Sequence, residues 1–155
     1  MARQRRQLSE YFYPDPDEPD WYRWTPEASS SFAGLYGLVR VLQKGPGRAR
    51  VKITPDPHLN SSTGAIHGGA IAGYVDIAIF AGSVGSGVAM PDGAGTVELS
   101  VHYLTQAFLG QPLEAEVEVL RDGGRLVFVR GTIEQGEALI ASYTALIRKN
   151  SPPKS

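Results

Sequence analysis

Cysteine is absent from all 155 residues, which excludes a disulfide framework, a thiol nucleophile and a cysteine-based zinc site, and makes a reducing, cytoplasmic setting the expectation. Excess charge of one sign is missing too. Fifteen Lys and Arg against sixteen Asp and Glu leave a net charge of −1, with no global attraction to nucleic acid or an anionic membrane. The longest apolar stretch, residues 70–84, carries Asp76 in its middle. It reads as too short and too charged to span a bilayer, and so as a core helix. The basic start, residues 1–6, leads into Leu8, Ser9 and Glu10 rather than an apolar run, so no signal peptide is expected. There is no G-x-S-x-G or H-E-x-x-H motif, and His58, His67 and His102 lack metal-ligand spacing. The glycines of residues 82–87 follow a helix instead of opening one, unlike a phosphate-binding loop. Serine-hydrolase, zinc-hydrolase and nucleotide-fold chemistries fall away, and no metal or cofactor is called for.

What is present, 42% hydrophobic and 20% charged residues, is the composition of one globular domain. Residues 1–30 combine Pro14, Pro16, Pro19 and Pro26 with the acidic Glu10, Asp15, Asp17, Glu18 and Asp20, so no regular element fits. Their aromatic density, with Tyr11, Phe12, Tyr13, Trp21, Tyr22 and Trp24, instead suggests an irregular arm packed on the body. Residues 31–149 form the expected domain. A β-like stretch over 35–43 and a turn at Gly45-Pro46-Gly47 lead to alternation of Ala49, Val51 and Ile53 with Arg48, Arg50 and Lys52, which predicts a hairpin with one buried face. A polar loop, residues 60–64, precedes the helix. Strands follow over 96–105, 113–121, 125–133 and 138–148, read as an antiparallel meander. Residues 150–155 read as a disordered tail. The class is α+β.

The helix of residues 69–84 is apolar on every face, which implies burial all round and puts Asp76 near the centre of the domain. None of Ala72, Gly73, Ile79 or Phe80 can pair with a carboxylate. Desolvation would push such a group toward the range of a general base. Upstream, Gly68 and Gly69 open the helix with approachable N–H groups at the positive end of its dipole. That pattern suits an oxyanion hole. Asp76, about two turns further on, could act on the same carbon from another side or from a second subunit. His67 alone is a weaker signal, since a lone His is more often structural.

Gly64-x-x-His67-Gly68-Gly69, six residues, then Asp76-x-Ala78 resembles the signature of the PaaI-like branch of the hotdog-fold thioesterases. Residues 96–104, Gly110-Gln111-Pro112-Leu113 and Gly124-Arg125-Leu126-Val127-Phe128 are similar to that family's strand, loop and hairpin in the same order. The resemblance implies a hotdog fold, an antiparallel sheet wrapped around one central helix. It implies acyl-CoA hydrolysis at sites shared by a homodimer, or by a dimer of dimers. By the same resemblance, the Gly68 N–H polarises the thioester carbonyl, Asp76 of the partner subunit activates water or attacks directly, Thr96 orients the water and His67 positions the thioester or the loop. The family's loop Asn falls nearest Asn60, but three residues separate it from Gly64 where two are usual, so Ser62 or Thr63 could substitute. Arg121 and Arg125 flank a turn and could meet CoA phosphates, although such residues are usually just solvated. Alternation also assigns His102 to the face of Thr96. Two other functions fit the same fold: a non-catalytic acyl-CoA-binding domain, disfavoured by the retained Asp76, and an acyl-thioester hydratase or dehydratase, whose usual motif His67 and Asp76 do not follow.

Overall fold

A computed structural model describes residues 11–25 and 31–155. Residues 1–6 and Pro26, which entered the reading above, lie outside the described residues. Eight strands make one antiparallel sheet: β1 (Phe12–Pro14), β2 (Trp21–Trp24), β3 (Val39–Gln43), β4 (Arg48–Ile53), β5 (Ala94–Tyr103), β6 (Leu113–Asp122), β7 (Leu126–Gln135) and β8 (Ala138–Lys149). Their spatial order is β1-β2-β3-β4-β6-β7-β8-β5. One helix, α1 (Gly68–Gly85), packs on the inner face. This is the α+β sheet-around-a-helix architecture that the resemblance implies.

The alternation in β4 buries Ala49, Val51 and Ile53 against α1 and turns the basic residues outward. There Arg50 forks onto Glu114 and Glu116 of β6 and Glu134 of β7, at 2.6, 2.5 and 2.9 Å. The helix closes on the sheet at Gly82, where a Cβ would fall 2.6 Å from Val117. Tyr74, wholly buried, reaches Val51 O at 2.7 Å and Leu113 O at 3.1 Å, bridging β4 and β6. At 18 residues and a mean hydropathy of 1.4, α1 is long and apolar enough by composition to cross a membrane, contrary to the shorter stretch read from the sequence. Its fit to the sheet accounts for that composition equally well, since 56% of it is buried inside the protein.

Three expectations change. Residues 12–14 and 21–24 are strands rather than irregular chain: β1 pairs β2 and β2 pairs β3, extending the sheet beyond the first hairpin. Prolines misled because Pro14 ends the outermost strand, where a missing N–H costs the ladder little. Asp15 pins the arm. Its carboxylate, shut off from solvent, accepts from Arg40 Nε at 2.5 Å and from Arg23 Nη2 at 3.3 Å. Burial alone would raise the Asp15 carboxyl, but the Asp17 amide, Arg40 and Arg23 outweigh it and hold the group far below the usual carboxylate range.

The strands after α1 are also no simple meander, because β5 pairs β8 and β6 pairs β4. The connection over residues 104–112 crosses between them, tied down by Gln135, which accepts from Phe108 N and donates to Phe108 O and Gln111 O. Finally, α1 is not enclosed all round. Ala72, Gly73, Asp76, Phe80 and Val84 are only partly buried, while Val75, Ala78, Ile79 and Ala81 are sealed. Sheet wraps one side of the helix, and the residues three and four apart on its other side form an open stripe.

Candidate active site

The helix begins at a cap made by His67. Its Nδ1 accepts from Gly69 N at 2.9 Å, which makes Nε2 the protonated nitrogen of the neutral ring. The His67 carbonyl takes the N–H groups of Ala70 and Ile71, at 2.9 and 3.1 Å. Of the four donors that a helix start leaves over, only that of Gly68 is without a partner among the described residues. Gly68 is exposed, and on its other side its carbonyl accepts from Tyr103 Oη at 2.6 Å. A cleft of about 470 Å³ opens here, bounded by the loop side chains Ser61 and Thr63, by His67, Gly68 and Tyr103, and by the crossing segment around Gln106.

The entry loop is braced from two directions, with Ile66 N donating to Ala107 O and His67 N to Leu59 O, both at 2.8 Å. Asn60 forms an isolated bridge with Ile66, and its side-chain Oδ1 is buried with no hydrogen-bond partner among the described residues. The residue by which this loop exceeds the family spacing is taken up in the turn of 61–64, where Gly64 adopts φ +86°. Ser61 Oγ and Thr63 Oγ1 sit 2.8 Å apart within it. Of the proposed substitutes, Thr63 lines the cleft and Ser62 does not.

Asp76 departs from expectation. It lies on the open stripe instead of at the centre, and it has a partner that helical neighbours could not supply: Thr96 Oγ1 donates to its Oδ1 at 2.5 Å. A β-bulge at the start of β5 makes this contact. Thr96 pairs Ile147 and Glu98 pairs Leu146, so one extra residue stands between them. Beyond the bulge, Leu99, Val101 and Tyr103 oppose the inward-facing Ala145, Tyr143 and Ala141. Thr96 therefore shares the inner face with these residues, and His102 lies on the outer face, opposite Ser142. The assignment of His102 to the face of Thr96 is corrected by that bulge. Over the preceding turn, at Ala70 and Gly73, sits Tyr36, whose hydroxyl is pushed up by burial and then by the Asp76 charge.

Within one chain, Asp76 stands about 12 Å along the helix from Gly68, beyond reach of a common carbon. Arg121 and Arg125 are not at the cleft either. Arg121 opposes the outward-facing Phe128, and Arg125, whose carbonyl accepts from Lys149 N, lies at the end of the sheet where β5 begins. That is about 30 Å along β5 from Tyr103. Tyr103 and Ser61 were not singled out from the sequence. Tyr103 carried a signal, as the aromatic with a polar tip that ends an alternating strand.

Residues 63–141 match the thioesterase superfamily. The chain belongs to the thioesterase superfamily. Solved structures agree on the hotdog fold. The E. coli PaaI protein of the phenylacetic acid degradation operon is 20% identical with a TM-score of 0.65, over 77% of this chain and 83% of its own. Zebrafish thioesterase superfamily member 2 is 23% identical with a TM-score of 0.64, over 79% and 88%. A Streptococcus mutans protein, solved bound to acetyl-CoA, is 22% identical with a TM-score of 0.61, over 74% and 90%. No curated protein matches this superfamily member by sequence.

Proposed function

We propose that this chain is an acyl-CoA thioesterase acting in the cytoplasm as a homodimer, with each site divided between two protomers. The observation that carries the reading is the distribution of groups along β5. This strand has β8 on one side only; it holds Tyr103 against Gly68 at one end and Thr96 against Asp76 at the other. Antiparallel pairing of two copies of β5 through that open edge brings each end of one strand beside the opposite end of the other. The free Gly68 N–H of one protomer then faces Asp76 of the partner subunit, which closes the 12 Å gap. Arg125, at the Ala94 end, travels with it toward the partner's cleft, where its guanidinium suits a CoA phosphate.

In this arrangement the Gly68 N–H, backed by the helix dipole, donates to the thioester carbonyl oxygen and stabilises the charge that develops there. Asp76, oriented by Thr96, removes a proton from water as the water oxygen bonds to the carbonyl carbon. The tetrahedral intermediate collapses with cleavage of the C–S bond, and the sulfur leaves as a thiol with the proton held by Asp76. Direct attack by the Asp76 carboxylate, followed by hydrolysis of the resulting anhydride, uses the same groups. His67 keeps the helix start in shape, and Asn60 offers an unpaired acceptor in the loop beside it. The acetyl-CoA bound to the Streptococcus relative supports CoA thioesters as the ligand class.

The test is thiol release from short, medium and aromatic acyl-CoAs by wild type and by Asp76→Asn. Turnover by wild type with loss of at least about a hundredfold in a folded variant supports the reading. Saturable binding of acyl-CoA without thiol release replaces it with the binding-domain alternative.

A further inference from the structure

The open stripe of α1 has two different ends. Toward the helix N-terminus it is filled. Phe32 and Tyr36, on a single 3-10 turn (Phe32–Tyr36), lie so close over Gly73 that a Cβ there would meet the Phe32 ring at 2.9 Å. Tyr36 is fixed by donating to Ala70 O at 2.8 Å and by stacking on Tyr74 at 6.3 Å, with Phe32 packed edge-on at 5.8 Å. An acyl group that starts at Asp76 has no room in that direction.

Toward the C-terminus the stripe continues through Phe80 and Val84, each one helical step of four residues beyond the last and each partly open. At Val84 it meets a pocket of about 290 Å³ closed by Phe12 of β1 and Tyr22 of β2, with Val41, Gln43 and Gly85 as its floor. The amide of Gln43 is already spent on Gly85 O at 2.8 Å. Without the arm the pocket would lose its Phe12 and Tyr22 wall, and the buried Asp15–Arg40 pair fixes the arm in place. The run from Asp76 to Val84 is about 12 Å.

We infer that the tail of the acyl group lies along Phe80 and Val84 and ends in the pocket that the β1–β2 arm builds, making the substrates acyl-CoAs with an extended apolar tail. This rests on the acyl-CoA reading of the Asp76 site. The experiment compares kcat/KM for decanoyl-CoA with that for butyryl-CoA in wild type, in Val84→Trp, which fills the pocket, and in Tyr22→Ala, which removes its arm-side wall. Thermal melts verify that each variant is folded. Wild type should favour decanoyl-CoA, and the decanoyl-to-butyryl ratio should fall by about tenfold or more in Val84→Trp and fall also in Tyr22→Ala. If Val84→Trp does not fold, Tyr22→Ala on the outlying strand decides. A wild type with no preference for the longer chain, or a ratio within about twofold of wild type in the folded variants, overturns the inference while leaving the thioesterase reading intact. A wild type that hydrolyses neither substrate overturns that reading, and the inference with it.

Discussion

Thr96→Val is the most informative single substitution, because valine keeps the branched shape and removes only the hydroxyl. In the structure that hydroxyl has one proton, given to Asp76 at 2.5 Å, and its lone pairs remain free to receive a water. Removing it frees one carboxylate oxygen to rotate and deletes the second contact that would hold the water in line. A hydrogen bond to a charged group contributes about 1.5–3 kcal/mol, which, expressed only in the transition state, corresponds to roughly tenfold to 150-fold in kcat. In the proposed dimer the edge of β5 pairs with its copy and Thr96 lies in the shared site, so the whole of that range is expected. Thr96 touches the carboxylate and not the acyl tail, so KM for decanoyl-CoA should stay within about threefold. Thr96→Ser should restore most of the rate. Steady-state thiol release supplies kcat and KM, and thermal melts verify that each variant is folded. A Thr96→Val enzyme with more than half the wild-type kcat, or a Ser variant no better than Val, would refute the role of Thr96 in orienting Asp76 and water.

Two further outcomes follow from the geometry. Gly68→Ala should fold normally, because its Cβ would meet only the Tyr103 ring at an ordinary 3.7 Å, yet kcat/KM should drop by about tenfold or more as the methyl crowds the free amide; a fully active variant would remove Gly68 as the oxyanion donor. Because the Asp15 carboxyl is held below its usual range, the undocked arm binds protons more readily than the docked one, so docking keeps its stability above the ordinary aspartate range and loses it as pH falls below. Fluorescence of Trp21 and Trp24, the two tryptophans of the chain, should therefore hold between about pH 8 and pH 5 and change only below about pH 4; a transition near pH 6 would contradict the Asp15 anchor.

Local chemistry was legible where it repeats. The alternation of Ala49, Val51 and Ile53 gave β4 and its buried face, and the apolar run gave α1 to within a residue at each end. Asp76 stood out as the one charge in that run. Its partner did not, because Thr96 reaches it through a bulge, and a bulge leaves no mark on a pattern of period two except to invert it. Counting straight through Val97 puts Thr96 with His102; the extra residue puts it with Leu99 instead. Pairing order was equally hidden, since nothing in β5 or β6 says which neighbour each will choose, and the choice is made by the crossing segment that Gln135 holds. In the arm, prolines outweighed the aromatics in the reading, although an edge strand tolerates a terminal proline.

The uniform apolarity of α1 has a different explanation from the one it first suggests. A helix buried on all sides and a helix with one open stripe should differ in sequence, since an open stripe facing only water would be expected to carry polar residues. Here the stripe is Gly73, Phe80 and Val84 with Asp76 as its one polar member, and it is apolar because each part of it has something to cover it. Phe32 and Tyr36 lie on Gly73, and the arm lies beside Val84. Between them, Asp76 meets the Thr96 hydroxyl and both Asp76 and Phe80 stay partly open. Under the dimer proposed here, that is the stretch facing the thioester and the partner's Gly68. Under that proposal the hydropathy of α1 follows its surroundings in the assembly, substrate included, and Asp76 marks the place where the cover is a reactant rather than a side chain.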